Sequence, residues 1–484
     1  MLLCEILEDV PYMDIKGNIE IDIDEIYYDS RQVTPNSLFF CIEGFQFDGH
    51  DFAAEAVNRG ATVLVVEKDV PVSDDVTKIF VEDTRLAMAL MSANFFGKPA
   101  DALYMIGVTG TNGKTSITYL VKSILERSGL KVGLIGTITN MIGNRVIVSE
   151  RTTPESLDLQ RLLAHMKAEG VDVVVMEVSS HSLSLKRVAG CIFDIGIFTN
   201  LSQDHLDFHG TMENYMAAKT ELFKHSHISV INMDDEYGRT IAKNIDGEII
   251  YYGISSGNCQ IYARDIDITH RGVSFTMFLP DDKLRVDLNI PGIFSVYNAL
   301  AAGAAAYILN IKKDLIKTGL EEVHGIPGRC ELLSTDTDYS IIIDYAHTPD
   351  GLENILKTAR SITENRLITL FGCGGDRDKD KRPIMGEVAG KYSDICIITS
   401  DNPRSEDPIS IIEDIVPGIK KTKCPYVIIE DRRKAIEYAL KIAQKGDVVI
   451  LAGKGHENYQ ILKDKTIHFD EREVVAELLQ KERI

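Results

Sequence analysis

One stretch limits what this chain can fold into. An apolar run at 104–108 ends in Thr109-Gly110-Thr111-Asn112-Gly113-Lys114-Thr115 and passes into the amphipathic segment 117–126. The order is strand, glycine-rich loop, helix. Such a loop turns backbone N–H groups toward a phosphate chain, and the helix N-terminus behind it favours negative charge. Lys114 would reach the terminal phosphates and the Thr115 hydroxyl would ligate magnesium. The strict pattern G-x-x-x-x-G-K-[ST] asks for glycine at 108, where Val108 stands; Gly107 and Gly110 are the glycines nearby. An ordinary strand-to-helix turn would use the glycines but has no need of the Lys-Thr pair. Nucleotide binding is therefore the expectation.

The rest of the composition sets bounds. A chain of 484 residues exceeds one core and implies two to four domains. A net charge of −21 argues against nucleic acid or an anionic membrane as partner, so an anionic nucleotide has to be met by a local group of Lys and Arg. The eight cysteines form no C-x-x-C pair and several lie in apolar runs, as reduced thiols of a cytoplasmic protein do. The N-terminus carries acids where a signal peptide has basic residues, and no apolar run has membrane-spanning length.

The order of elements implies an α/β protein of three domains: 1–100, 101–330 and 331–484. The first is a small α/β unit with strands at 26–30, 38–42 and 61–67 and a helix at 51–58. Its Asp29-Ser30-Arg31 and 44–49 segments sit at strand ends, where turn chemistry and ligand binding are both open. The second has a mainly parallel sheet built around the phosphate loop. Ligands of open α/β sheets gather at the carboxyl ends of strands. Strand 132–137 leads to Thr137, 171–176 to Glu177-Val178-Ser179-Ser180-His181, and 192–198 to Asn200, Asp204 and His205. Glu177 stands where a phosphate-loop enzyme places a magnesium-orienting carboxylate, and His205 is a candidate for the metal or phosphate site.

After 228 short runs at 249–252, 261–268, 274–278 and 284–288 read as an antiparallel appendage with little chemistry of its own. Tyr297-Asn298 opens a small-residue helix at 299–309, and Arg329 is either a hinge charge or a phosphate contact. The third domain, Rossmann-like, alternates again. Strands 340–344, 366–371, 394–399 and 447–452 run into Asp344-Tyr345-Ala346-His347, Gly374-Gly375-Asp376-Arg377, Asp401-Asn402-Pro403-Arg404 and Gly453-Lys454-Gly455-His456-Glu457. A nucleotide site beside a second polar edge points to phosphate activation of one substrate and attack by another.

These motifs, in this order along essentially the whole chain, resemble the Mur ligases, ATP-dependent amino-acid-adding enzymes of peptidoglycan precursor synthesis. Thr152-Thr153-Pro154, Lys219-Thr220-Glu221-Leu222-Phe223, Gly374–Arg377 and Asp401–Arg404 are similar to the member that adds the third peptide residue, in its meso-diaminopimelate-adding form. The resemblance implies that Tyr28, Ser30 and Phe45-Gln46-Phe47 meet the uridine nucleotide of UDP-N-acetylmuramoyl-L-alanyl-D-glutamate. It assigns Thr152, Thr153, Ser179, Leu185 and Arg187 to the muramoyl-dipeptide. Thr109 to Thr115, Asn298, Arg329 and Asp344 would hold ATP. Arg377, Asp401, Asn402, Pro403, Arg404, Gly453 and Glu457 would hold diaminopimelate. Magnesium would be held by Thr115, Glu177, His205 and Lys219 as its CO2-derived carbamate. Lys114, Lys219, Glu177 and His205 are the catalytic set. Arg151 and Leu185 depart from one form of the family pattern, which has Asn and Gln. The implied protein is a cytoplasmic monomer without nucleic-acid or membrane partners. In the implied reaction an acyl phosphate forms, an amine attacks it, and domain closure excludes water. Alternatives are a lysine-adding relative, a folylpolyglutamate synthase-like ligase and a nucleotide-dependent switch.

Overall fold

A computed structural model describes residues 1–45, 47–149, 151–269 and 272–481. The chain packs into two compact units: 1–109 with 130–196 and 218–228, and 110–129 with 197–217 and 229–484.

The first unit opens with a sheet of β1 (Asp14–Lys16), β2 (Glu25–Tyr27), β3 (Ser37–Phe40), β4 (Ala61–Val66) and β5 (Thr77–Phe80), in the order β1-β5-β4-β3-β2. All neighbours are parallel except β1 on β5. β3 is buried at every position because both faces of the sheet are covered. Leu38 and Phe40 join one apolar cluster while Phe39 and Cys41 join the other, as strand alternation requires. The helix expected over 51–58 is Ala53–Arg59, preceded by a 3-10 turn at Gly49–Phe52.

The same unit holds β6 (Tyr104–Thr109), β7 (Val132–Ile135), β8 (Asn140–Ile142), β9 (Arg145–Ile147) and β10 (Val173–Glu177), in the order β6-β10-β7-β8-β9. β6, β10 and β7 run parallel, with Glu177 opposite Val108 and Met176 opposite Ile135. Their carboxyl ends thus lie at one edge. The β8–β9 hairpin is additional to the elements expected from sequence. β11 (Phe193–Phe198) and β12 (Ser226–Asn232) carry the chain from the first unit into the second.

In the second unit the helix Lys114–Arg127 follows the phosphate loop. The expected antiparallel appendage is antiparallel only in part. β13 (Glu248–Gly253) pairs parallel with β14 (Ile261–Thr269), and β15 (Gly272–Leu279) and β16 (Asp282–Leu288) then add antiparallel strands. A disconnected strand can join in either direction, which its composition does not record. The helix Ile293–Ile308 buries its Ala and Gly residues, and a Cβ at Gly303 would fall 2.7 Å from the Met277 sulfur.

The last sheet holds β17 (Glu331–Leu332), β18 (Ser340–Asp344), β19 (Leu367–Phe371), β20 (Ile395–Ile398), β21 (Tyr426–Ile428) and β22 (Val448–Ala452), ordered β17-β18-β22-β19-β20-β21. β18 to β21 are parallel and β17 is an antiparallel edge. The helices Arg432–Ile442 and Glu471–Lys481 pack on one face. A hairpin, β23 (Tyr459–Ile461) and β24 (Thr466–His468), follows.

Candidate active site

The phosphate loop is shaped by two glycines. Gly110 has φ +144° and Gly113 φ +91°, a region that side-chain-bearing residues avoid. A Cβ at 110 would sit 1.8 Å from Thr199 Oγ1, and one at 113 would sit 2.6 Å from Asn298 Oδ1. The loop after β11 braces this turn. Thr199 Oγ1 donates to the Asn112 carbonyl at 2.6 Å, the Asn112 N–H donates to Asn200 Oδ1 at 2.9 Å, and the Thr111 N–H donates to the Asn200 carbonyl at 2.9 Å. Lys114 folds over the loop, its Nζ 2.8 Å from the Gly110 carbonyl and 2.9 Å from that of Thr111. Thr115 is buried and its hydroxyl accepts from Arg329 Nη2 at 3.1 Å.

Beside the loop lies a cavity of about 240 Å³. Asn112, Gly113 and Ser116 line one end, and Arg329, Asp344 and Asn298 give it polar atoms. Its apolar wall comes from Leu288, Ile290, Phe294 and Ile355. Phosphate donors next to an apolar slot suit a nucleotide, with phosphates on the loop and a base against the wall. Arg329 stacks 4.7 Å over the Tyr345 ring, and its Nε is buried without a hydrogen-bond partner. Burial raises the Asp344 carboxyl while Arg329 opposes the rise; the carboxyl accepts the N–H groups of Cys330 and Ala346. Asp350 accepts from Asn112 Nδ2 at 2.8 Å. Sequence reasoning placed Asn200 at this edge without giving it a role, and it missed Asp350 and the apolar wall. The appendage it set aside ends in Leu288, which belongs to that wall.

His205 adopts φ +55° at the start of a short helix, with Nε2 3.3 Å from Asp204. Asp204 also faces His347 at 3.9 Å and Lys381 at 3.5 Å. Burial works against its charge, but interaction with His205, His347 and Lys381 holds it well below the usual carboxylate range.

In the first unit Glu177 ends β10 and is buried. Its Oε1 accepts the Thr137 N–H at 2.8 Å and its Oε2 the Thr137 hydroxyl at 3.0 Å, which in turn lies 3.0 Å from Thr152 Oγ1. Gly136 packs close beneath it: a Cβ there would come within 2.5 Å of Glu177 Oε1, so the carboxylate would have to move. Thr153 Oγ1 donates to the Glu177 carbonyl, and Ser179 N–H donates back to Thr153 Oγ1. Arg187 donates to the Thr153 carbonyl and pairs with Glu155 at 2.8 Å, where Arg151 also pairs. The Arg187 Nε is buried and unpartnered. Leu185 caps the helix Ser180–Ser184. Lys219, in the helix Met212–Lys224, is only 1 % exposed.

Farther toward the N-terminus, Tyr28 donates to Asp158 at 2.6 Å and Ser30 to Glu55 at 3.2 Å. Phe45 and Phe47 are 77 % and 71 % exposed, and the Phe47 ring meets Phe52 edge-on at 6.4 Å between centroids. Gln46 lies outside the described residues.

The carboxyl edge of the last sheet gathers the four motifs expected there. Asn402 Nδ2 donates to Glu457 Oε2 at 2.8 Å, while its Oδ1 accepts from Lys454 Nζ at 3.1 Å and from the Ile461 N–H at 2.9 Å. Asn402 is thus a brace with one amide hydrogen to spare. Gly453 has φ +117°, and a Cβ there would meet Asp401 Oδ2 at 2.5 Å. Asp401 is held low by Lys454 and Arg432 against its burial. Arg404, at φ +52° after Pro403, donates through Nη1 to the Gly375 carbonyl at 2.9 Å. Arg377 is exposed and donates to the Asp376 carbonyl.

Three family descriptions match in succession: the Mur ligase family catalytic domain at 22–96, the Mur ligase middle domain at 108–306 and the Mur ligase glutamate ligase domain at 328–455. The chain belongs to the Mur ligase family. Among its relatives is UDP-N-acetylmuramoyl-L-alanyl-D-glutamate–2,6-diaminopimelate ligase 1 of Clostridium acetobutylicum, 53 % identical over 99 % of this chain and 100 % of that one. The correspondingly named ligase of Caldanaerobacter subterraneus subsp. tengcongensis is also 53 % identical, over 99 % of each chain. A solved structure of a UDP-N-acetylmuramoyl-L-alanyl-D-glutamate–2,6-diaminopimelate ligase superimposes with a TM-score of 0.71 at 31 % identity, covering 100 % of this chain and 99 % of that one.

Among the described residues no three His, Cys, Asp or Glu side chains cluster to hold a metal. Magnesium needs no such cage, because it keeps waters and takes phosphate oxygens beside one or two protein oxygens. Within the second unit Thr115 offers an oxygen of that kind, and within the first Glu177 does. No helix among the described residues is long and apolar enough to cross a membrane.

Proposed function

We propose that this Mur ligase joins meso-2,6-diaminopimelate to UDP-N-acetylmuramoyl-L-alanyl-D-glutamate at the expense of ATP. The observation that carries the reading is the Asp401–Arg404 turn braced on Glu457, in a chain 53 % identical from end to end to a ligase named for those substrates. The folate-ligase and switch alternatives have no use for that turn.

A free carboxylate does not condense with an amine, because oxide is a poor leaving group. Transfer of the ATP γ-phosphoryl group to a carboxylate oxygen of the D-glutamate gives an acyl phosphate and ADP. The diaminopimelate amine attacks the acyl carbon, and the tetrahedral adduct expels phosphate with loss of a proton. The phosphate loop N–H groups and Lys114 would take the charge that builds on the transferred group. Asn298 and Arg329 would hold the nucleotide, Asp344 its polar edge, and Leu288, Ile290 and Phe294 its base. Magnesium, when bound, supplies charge neutralisation at the phosphates. Its protein donors would be Thr115 and His205 in the second unit, and Glu177 and carbamylated Lys219 in the first. A buried ammonium carries a desolvation cost and repels a cation, whereas a carbamate offers two anionic oxygens. Tyr28, Ser30, Phe45 and Phe47 would receive the uridine nucleotide, and Thr152, Thr153, Ser179, Leu185 and Arg187 the sugar-peptide. Arg377 and Arg404 would pair with the amino acid's carboxylates and Glu457 with an amino group. The enzyme would act as a cytoplasmic monomer, with domain boundaries near 100 and 330.

The test is phosphate release by purified protein with ATP and magnesium. Release requiring both the UDP-muramoyl-dipeptide and diaminopimelate is expected. Slow release indifferent to both would replace the ligase with a switch.

A further inference from the structure

Arg382 is fully buried, yet it lies in none of the motifs proposed above to hold a ligand. It sits at the start of the helix Lys381–Tyr392 and grips Glu406 with both terminal nitrogens: Nη1 to Oε2 at 3.0 Å and Nη2 to Oε1 at 2.8 Å. Nη1 also reaches Asp414 at 2.8 Å, and Nη2 the Gly374 carbonyl at 3.4 Å. A bidentate arginine–carboxylate pair fixes direction as well as distance.

Glu406 passes the constraint on. Its Oε1 accepts the Asp376 N–H at 2.6 Å, so the carboxylate ties the turn after Arg404 to the loop 374–377. The two segments are joined elsewhere too. Ser405 Oγ donates to Asp376 Oδ1 at 2.6 Å, and the Gly375 N–H donates to the Asn402 carbonyl at 2.9 Å. The fit leaves no slack, since a Cβ at Gly375 would lie 1.9 Å from the Pro403 carbonyl oxygen. Asp376 and Arg404 both hold φ +52°, a strained conformation that persists only under such restraint. The Arg404 guanidinium then takes its bearing from this joint, through Nη1 on the Gly375 carbonyl.

We infer that the Arg382–Glu406 pair is a positioning device that aims Arg404, and that the preference for an amino acid bearing a second carboxylate depends on it. This rests on the reading of Arg404 as that carboxylate's anchor. An arginine displaced by about 1 Å loses its two-pronged grip, and misplacement of that size costs up to about 10²-fold. Lysine lacks the distal carboxylate and has nothing to lose.

The experiment is steady-state amide synthesis by wild type and Glu406→Gln, with diaminopimelate and with lysine, and with KM for ATP measured alongside. Gln keeps the shape and removes the charge. The expected result is a KM for diaminopimelate raised about 10- to 100-fold, with kcat at saturation and KM for ATP little changed. Selectivity over lysine should fall by the same factor. Arg382→Lys, which keeps charge but not the fork, should give the same pattern. If Glu406→Gln fails to fold, as circular dichroism would show, Ser405→Ala tests the same joint from an exposed position and should raise that KM severalfold. Unchanged KM and selectivity in whichever variant folds would overturn the inference, as would a fall in kcat with KM unmoved. Wild-type enzyme that used lysine as readily as diaminopimelate would overturn the reading of Arg404 itself, and the inference with it.

Discussion

Replacing Lys454 by Met should damage both stability and amino-acid binding. The side chain is 0 % exposed, with Nζ 2.9 Å from Glu457 Oε2 and 3.1 Å from Asn402 Oδ1. It also helps hold Asp401 ionised. Met fills nearly the same volume, so a cavity adds little. What remains is the charge left behind. Removing one partner of a buried pair costs about 3–5 kcal/mol. The lower end applies here, because Glu457 keeps the Asn402 amide at 2.8 Å and Asp401 keeps Arg432 at 3.9 Å. A loss of about 3 kcal/mol corresponds to a fall of about 6–12 °C in the melting of this part of the molecule. Glu457→Gln removes the stranded charge, so the double variant should melt above Lys454→Met, with a coupling of about 1–3 kcal/mol. The assay is differential scanning calorimetry of the four proteins of the cycle, with KM for diaminopimelate followed in each. A Lys454→Met protein that melts with the wild type, or strictly additive losses, would refute the buried-pair account.

Lys114→Ala should lower amide synthesis by at least about 10²–10³-fold, the scale for one transition-state charge donor, with an unchanged circular dichroism spectrum; wild-type turnover would remove the phosphate-loop assignment. Lys219→Ala should lose activity and recover part of it with short carboxylic acids, and mass spectrometry of the native protein should show carbamate; full activity without either would sink that role. Arg404→Ala should weaken the preference for diaminopimelate over lysine by at most about 2–5 kcal/mol, read from the ratio of kcat/KM values; an unmoved ratio would contradict it. Glu406 is held at about 2, first by its hydrogen bonds to Arg382 and against some burial. Its folded value lies below the unfolded one near 4.3, so its stabilisation of about 3 kcal/mol is complete above that value and lost as pH falls toward 2. The melting difference between wild type and Glu406→Gln should therefore shrink from pH 5 to pH 2.5; a constant difference would count against the pairing.

Much of the site is legible in the sequence because its chemistry sits at strand ends. The strand–loop–helix around Lys114 is local: apolar alternation ends, glycines allow φ above zero, and a helix begins. The same holds for β10 into Glu177, β18 into Asp344, β20 into Asp401 and β22 into Gly453. Within each sheet, parallel pairing alone brings such ends to one edge, as the register of Asp344 with Ala452 shows in the last. The ends of elements shift by a residue or two, which matters little when the motif follows the strand.

Distance along the chain hid the rest. Asn112 meets Asp350, 238 positions away, and nothing near either residue announces the contact. Leu288 read as the tail of an appendage with little chemistry of its own, since an apolar residue has the same local signature in a core and in a nucleotide slot. Nothing local marks Arg382 or Lys454 as buried, because charged residues are mostly exposed. Only the fold shows that each is enclosed with a carboxylate. Local sequence determined which backbone turns and functional groups are offered at each strand end, because steric preference and periodicity act over a few residues. The tertiary structure alone decided which charges are buried and which partners neutralise them, because desolvation is set by everything packed around a group.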